Sequence, residues 1–583
     1  MNRHDEAIAR ARAGLGVAPW HPGLHYNLGV ALQEAGDLEG ARAAFTEAVA
    51  LKPDFVQAWN NLGLAFEDGG RDEEALAAFS RAMELQPAYL AALRNLGRLA
   101  LRVGEASFAR SGLRELVGLE PKNCRARFGA ALALPAVPAS VEAIDAARAD
   151  FAEGLAELTE LAESGGMSDP ACLLALQRHT NFYLAYQGHD DRALQSRYAR
   201  LVRLLVAGQV QECSPNLSLR DEGPLRVAFA SSFLRDCTIG HYFGSWLTDL
   251  DPDRFEISVF LLGHIEDGMT ARLTAGARRV VRADDAMPLA DVARRIRDAS
   301  PDVLVYPELG MDGRAYALAA LRLAPVQCVA WGHPVTSGLP TIDYFLSCAI
   351  MEPPDADGHY TEKLIRFPGL GTRYLPPLEV QRLARTDFGL PESAHLYLLP
   401  HPPYKMHPEE DGRLAEILAA DPDGILVFCA GVEPAMNRQL FRRLAPVLAR
   451  RNLGMDRLCL LPHQTRPRYL ALNRLCDVLL DTSGWSGGNT TLDALVAGLP
   501  VVTRPGRFMR GRQTAGMLEL MNLMDLIVAD DHDYVRRAVA IASDVHLREA
   551  WSARIAGARA KVFDDPGPVV AWQDWLLSLR GLR

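Results

Sequence analysis

Several residues of this 583-residue chain have the types and spacing for phosphate and proton chemistry. The densest group is the stretch DTSGWSGGNTTLDALVAGLPVVTRPG, Asp481 to Gly506. A short apolar strand (478–480) precedes it, a helical pattern (491–497) follows the small-residue turn, and 500–503 has the pattern of a second buried strand. In such a strand–turn–helix, Gly487 and Gly488 let the backbone come close to a ligand, and the N–H groups of Asn489, Thr490 and Thr491 open the helix outward. A helix start of this kind favours an anion, most often a phosphate. One turn into the helix, Asp493 has the chemistry to accept hydrogen bonds from ribose hydroxyls. The alternative is an ordinary turn in which Asn and Thr only cap the helix.

Four more segments carry candidates, each just after a strand pattern. His241 lies in SSFLRDCTIGHYF, Glu308 and Asp312 in PELGMDG, and His333, Thr336, Ser337 and Asp343 in GHPVTSGLPTIDYF. A loop histidine is more often structural, but two histidines and an acid, each following a strand of one sheet, point to a site. Lys405 stands in HPPYKMHPE. A lone lysine is usually a solvated charge, whereas Pro402, Pro403 and Tyr404 would hold this one rigidly enough to neutralise a phosphate.

The elements that position these residues alternate. Strand patterns at 225–230, 257–262, 303–306, 327–331, 396–400, 425–429, 458–461, 478–480 and 500–503, with helical patterns between most of them, predict parallel sheets covered on both faces. The length exceeds one doubly wound sheet, which predicts two Rossmann-like lobes, 223–390 and 391–583, the second ending in a helix. Ligands of such sheets gather at the carboxyl ends of strands, in the cleft between lobes.

Ahead of the lobes is a repeat array. Pro19, Pro53, Pro87 and Pro121 recur every 34 residues, the period of tetratricopeptide repeats. Asn-Leu-Gly recurs in register at Asn27, Asn61 and Asn95, with Gly36, Gly70 and Gly104 at the turns. Three full repeats are expected within 1–136, and residues 1–18 have the pattern of the second helix of a capping repeat. Stacked repeats offer a concave face to extended polypeptides. The asparagines would then bind a peptide main chain; the alternative is hydrogen bonding between repeats. Residues 137–222 form a helical connector, bounded by CSPNLSLRDEGP.

Lys and Arg total 62 against 72 Asp and Glu, a net charge of -10, which argues against general nucleic-acid or anionic-membrane binding. No apolar run approaches the roughly 20 residues of a membrane span. The opening MNRHDEAIARARAG is charged and helical, unlike a secretory leader. The expected compartment is the cytoplasm. Nine scattered cysteines without a C-x-x-C pair are expected to be reduced core residues, neither disulfides nor zinc ligands.

Repeats with asparagines in register, a helical connector and two parallel-sheet lobes resemble the O-GlcNAc transferase and SPINDLY family of glycosyltransferases. The most specific segments are RLAPVQCVAWGHPVTSGLPTIDYFLS (Arg322 to Ser347), HYTEKLIRFPG (His359 to Gly369), YKMHP (Tyr404 to Pro408) and LDTSGWSGGNTTLDALVAGLPVVTRPG (Leu480 to Gly506). The resemblance covers nearly the whole chain. It implies an α/β GT-B fold after the all-α repeats, the donor mainly on the second lobe, and no metal or cofactor besides a nucleotide sugar, by default UDP-GlcNAc.

Position by position, the resemblance implies that Lys405 holds the donor diphosphate, that Asn489, Thr490 and Thr491 form the phosphate turn, and that Asp493 meets the ribose. It adds Gln464, Arg466, Tyr469, Gly487, Gly488 and His333 to the donor set. Tyr469 stands where the animal enzyme has a histidine stacking on uracil, Arg466 where a ribose lysine is expected, and Cys237 in place of another histidine. Pro402 or Pro403 replaces a polar residue before the lysine.

The implied reaction is inverting transfer to a Ser or Thr hydroxyl of a protein. His241 is the first candidate for the base, with Glu308 or Asp302 in reserve. The expected partners are a protein or peptide acceptor on the repeats and the nucleotide sugar, with a homo-oligomer left open. The alternatives are another sugar (glucose, fucose or a nonulosonic acid on flagellin), an Asn acceptor, or a non-catalytic repeat scaffold.

Overall fold

A computed structural model describes residues 3–213, 218–377 and 381–581. Residues 214–217, within the expected boundary stretch before Pro224, lie outside the described residues. The chain divides into two compact units, one running to Ala136 and including Ala146–Leu158, the other comprising Val137–Asp145 and Thr159–Arg583.

The first unit is a stack of tetratricopeptide helices. Pro22–Glu34 pairs with Leu38–Leu51, Val56–Asp68 with Asp72–Leu85, and Leu90–Val103 with Ala106–Leu119; Arg3–Val17 precedes them and Cys124–Leu132 follows. The glycine of each Asn-Leu-Gly is where paired helices touch. A Cβ on Gly29 would lie 2.6 Å from the Phe45 ring, on Gly63 2.5 Å from Phe79, and on Gly97 2.3 Å from Leu113, so any larger residue would push the helices of a repeat apart. Phe45 and Phe79 are fully buried by this approach. Two of the three asparagines use an amide hydrogen between repeats: Asn61 donates to the Tyr26 hydroxyl (3.3 Å) and Asn95 to Asn60 Oδ1 (3.0 Å). Asn27 is exposed.

The second unit holds two all-parallel sheets. The first contains β1 (Leu225–Ser231), β2 (Phe255–Leu261), β3 (Arg279–Arg282), β4 (Val303–Tyr306), β5 (Val326–Ala330), β6 (Tyr344–Cys348) and β7 (Lys363–Phe367), in the order β3-β2-β1-β4-β5-β6-β7. The second contains β8 (His395–Leu399), β9 (Gly424–Cys429), β10 (Leu458–Leu461), β11 (Val478–Leu480) and β12 (Val501–Val502), in the order β10-β9-β8-β11-β12. Register places Val227 beside Val303 and Leu479 beside both Leu398 and Val501. In each sheet the order reverses once, between β1 and β4 and between β8 and β11, and a crevice opens beyond the strand ends at such a reversal. This is the expected GT-B architecture.

Three strands exceed the sequence expectation. β3 (RVVR) and β7 (KLIRF) are edge strands whose charged ends leave little apolar alternation, and β6 (YFLSC) is a short buried run without a period of its own. The C-terminal helix Gly567–Ser578 follows the second sheet yet packs on the first. Its Trp572, fully buried, stacks at 4.6 Å and 14° on Trp246 of the helix Thr238–Thr248 and meets Phe367 of β7 edge-on. Seven cysteines, at 213, 237, 328, 348, 429, 459 and 476, are free thiols as expected. No described helix is long and apolar enough to cross a membrane.

Candidate active site

A cavity of about 310 Å³ opens at the two reversal points, lined from one side by Thr238, Ile239 and Tyr242 and from the other by Lys405, Trp485 and the turn Gly487 to Thr490. The turn is built from within. Asp481, directly after β11, accepts the Gly487 N–H (2.8 Å) and the hydroxyls of Ser486 and Thr503 (each 2.7 Å). A Cβ on Gly487 would stand 2.5 Å from the Thr491 hydroxyl and 2.7 Å from that of Thr490, so the tight approach needs glycine. The helix Asn489–Ala497 then starts without a side-chain cap. Among the described residues the N–H groups of Asn489 and Thr490 have no acceptor, but that of Thr491 already donates to Gly488 O (3.1 Å) and its hydroxyl pairs with Thr514 (2.7 Å). Thr491 is therefore a brace of the turn, and the free pair is Asn489 and Thr490, a correction to the expected three.

Lys405 ends the one-turn segment Pro403–Lys405 after β8, fixed by its N–H to Pro402 O (2.9 Å). Its ammonium lies 5.1 Å from the centre of the Trp485 ring and has no carboxylate partner among the described residues. Desolvation alone brings it down to about 8. His333, only 2% exposed, stacks on Phe182 at 5.4 Å and 22°; burial, then Arg510 and Lys405, lower it to about 3, so it stays neutral. Phe182 and Tyr186 come from the one-turn segment Phe182–Tyr186 of the expected connector and also line the cavity. No sequence signal points to their role, because aromatics in a helical stretch have the pattern of core.

The remaining candidates gather elsewhere. On Thr238–Thr248, Tyr242 faces this cavity while His241 faces a neighbouring one of about 300 Å³ with Ser245, Arg373 and Arg466. His241 Nε2 is 2.7 Å from Asp236 Oδ1 and 2.5 Å from an Arg466 nitrogen. Burial, then Arg466, lower its basicity against the pull of Asp236. Arg466 also donates to Asp493 (3.2 Å) and to the Tyr374 hydroxyl (3.3 Å), and burial holds Asp493 above the usual carboxylate range despite that contact. Tyr469 packs on the core of the second sheet, and Gln464 bonds Pro462 O and Arg468.

The two reserve acids sit at opposite ends of β4. Asp302 precedes it and is held by the backbone N–H of Arg226 (2.8 Å) and by Arg220 (3.2 Å), at the strand end away from the cavity. It is a structural anchor, which removes it as a candidate base. Glu308 follows β4, 1% exposed, and accepts the Ser231 hydroxyl (2.8 Å). Burial raises it to about 8, so at neutral pH it is a carboxylic acid. Because the folded state holds this proton and the unfolded chain releases it near 4.5, stability falls as pH climbs from about 4.5 towards 8. Glu308→Gln is expected to flatten that slope in melting curves, with a Tm at pH 8 no lower than the parent's; an unchanged slope would show the acid to be ionised.

The family model described as Glycosyl transferase family 41 matches residues 177–370 and 373–564. The chain belongs to that family. A tetratricopeptide repeat model matches residues 1–54 and 26–89. Among curated proteins the chain is similar to the probable UDP-N-acetylglucosamine–peptide N-acetylglucosaminyltransferase SPINDLY of Arabidopsis thaliana, 26% identical over 340 residues, 56% of this chain and 36% of that protein. The protein of the same description from Eustoma exaltatum subsp. russellianum is 30% identical over 257 residues, 44% of this chain and 28% of that one. The matched stretch thus spans about a third of these relatives' length. Among solved structures, a Thermobaculum terrenum O-GlcNAc transferase superposes with TM-score 0.64 at 22% identity, covering 100% of this chain and 99% of that one, a likeness of fold. The family match begins at residue 177, so it takes in Phe182 and Tyr186.

Proposed function

We propose that this family 41 protein transfers a sugar from a nucleoside diphosphate to a hydroxyl of a protein, with UDP-GlcNAc as the first donor to test and Ser or Thr as the acceptor residue. The observation that carries the reading is a lysine ammonium that, among the described residues, has no carboxylate partner and lines the same cavity as the N–H groups of Asn489 and Thr490, which have no acceptor there. A diphosphate leaving group there would find its developing charge met by donors fixed in advance. No carboxylate lines the cavity among the described residues, so nothing there matches the acid nucleophile of a double displacement. That favours direct attack and inversion. His241 faces the neighbouring cavity and Glu308 is protonated at neutral pH, so charge stabilisation carries more of the step than a side-chain base. The names of the SPINDLY-like relatives favour a peptide acceptor, which the repeats would present.

The test is a thermal-shift screen of UDP-GlcNAc, UDP-Glc, GDP-Fuc and CMP-linked sugars with Lys405→Ala as control. Stabilisation by one donor that vanishes in the variant supports the reading and names the sugar; no shift with any donor favours a repeat scaffold. With Lys405 and the helix start supplying the positive field, EDTA is expected to leave turnover unchanged, and a loss reversed by divalent cation would show that a metal shares the task.

A further inference from the structure

Tyr242 is 2% exposed, and its hydroxyl has no hydrogen-bond partner among the described residues. A phenol in that state has given up water without replacement. Packing keeps the ring where it is: it meets Trp331 edge-on at 6.2 Å and 86°, and Tyr374 at 5.4 Å and 66°. The hydroxyl lies beside the turn, since a Cβ on Gly488 would be 3.8 Å from it. Gly488 immediately precedes the free N–H groups of Asn489 and Thr490, in the cavity that Lys405 also lines. Trp331 Nε1 and Asn489 Oδ1 belong to residues lining the same cavity and are also buried without partners. Buried polar atoms are almost always paired, so three orphans around one cavity mark where a ligand completes the bonding.

We infer that Tyr242 binds the donor by giving its O–H to the diphosphate, beside Lys405 and the helix start. Burial keeps the phenol protonated, its titration pushed well above the usual range, so it remains a donor. A phosphate oxygen is the acceptor that gains most from it, since the bond is charge-assisted. The inference rests on the proposed reading of the cavity as a nucleotide-sugar site.

Calorimetric titration of the full chain with UDP and with GDP, for the parent, Tyr242→Phe and Lys405→Ala, tests both readings separately. In Tyr242→Phe the diphosphate that the parent binds is expected to bind about 10- to 100-fold more weakly. The ligand-free Tm should be equal or higher, because phenylalanine removes a buried hydroxyl that has no partner. Unchanged affinity overturns the role of Tyr242 and leaves the site reading intact. Weaker binding with a lowered ligand-free Tm makes the residue one of packing, which also overturns it. Binding of neither diphosphate by the parent overturns the site reading itself.

Discussion

Lys405→Ala is expected to lower turnover by about 10²- to 10³-fold, the loss typical when one fixed donor to a developing charge is removed. The size follows from position. The ammonium lines a cavity of about 310 Å³ under the Trp485 ring, with no carboxylate partner among the described residues, so none of them compensates its charge. A bound diphosphate would supply the missing counter-charge, and more of it as the sugar departs.

The pH profile carries the same signature. The free-protein value of about 8 makes kcat/KM fall as pH rises past 8. A bound diphosphate favours the charged form, so kcat holds to higher pH. The stability sign is opposite. Below pH 8 the lysine is protonated folded and unfolded, so the desolvation penalty is fully present; it lifts as pH rises from 8 to 10.5. The ligand-free alanine variant should therefore melt no lower than the parent at pH 7. Initial rates and melting curves of the two proteins decide it: a turnover within tenfold of the parent would falsify the placing of the diphosphate at Lys405.

What the sequence carried was whatever a local rule enforces. The 34-residue register persists because each repeat must seat the same glycine against Phe45, Phe79 or Leu113. Lys405 and the Gly487 turn were legible because parallel sheets place function just after strands, and both follow strands flanking the reversal in the second sheet. Direction around a helix was not legible. His241 and Tyr242 are neighbours in sequence, yet successive residues on a helix point about 100° apart, and only the packing of Thr238–Thr248 sends the tyrosine to one cavity and the histidine to the other. The ends of β4 show the same limit: Asp302 and Glu308 are both acids beside one strand, and strand direction alone puts the anchor at one end and the buried, protonated acid at the other. Phe182 and Tyr186 reach the site through a tertiary contact that no local pattern encodes.

The second large effect is expected at Asp481, through structure. Its carboxylate is 1% exposed. It accepts from Gly487, Ser486 and Thr503 and lies 3.5 Å from His401 Nε2, while its carbonyl accepts the Tyr534 hydroxyl (2.8 Å). The network continues to the helix start: Ser486 Oγ accepts the Thr514 N–H (2.9 Å), and the Thr514 hydroxyl pairs with that of Thr491 (2.7 Å). Asp481→Ala would leave three buried donors without an acceptor, at about 1–3 kcal/mol each. Because they share one site, the effects combine to about 4 kcal/mol rather than their full sum. The expected outcome is a fall in Tm of roughly 5 °C together with loss of nucleotide binding, since the Asn489 and Thr490 N–H groups would no longer be aimed. Asp481→Asn separates the two roles. Its carbonyl oxygen still accepts from Gly487, and the Ser486 and Thr503 hydroxyls can rotate to accept from its amide, so most of the stability and the binding should return. An alanine variant that melts and binds like the parent would show that the turn holds its shape without the carboxylate, and the phosphate site would then owe its geometry to Gly487 and Thr491 alone.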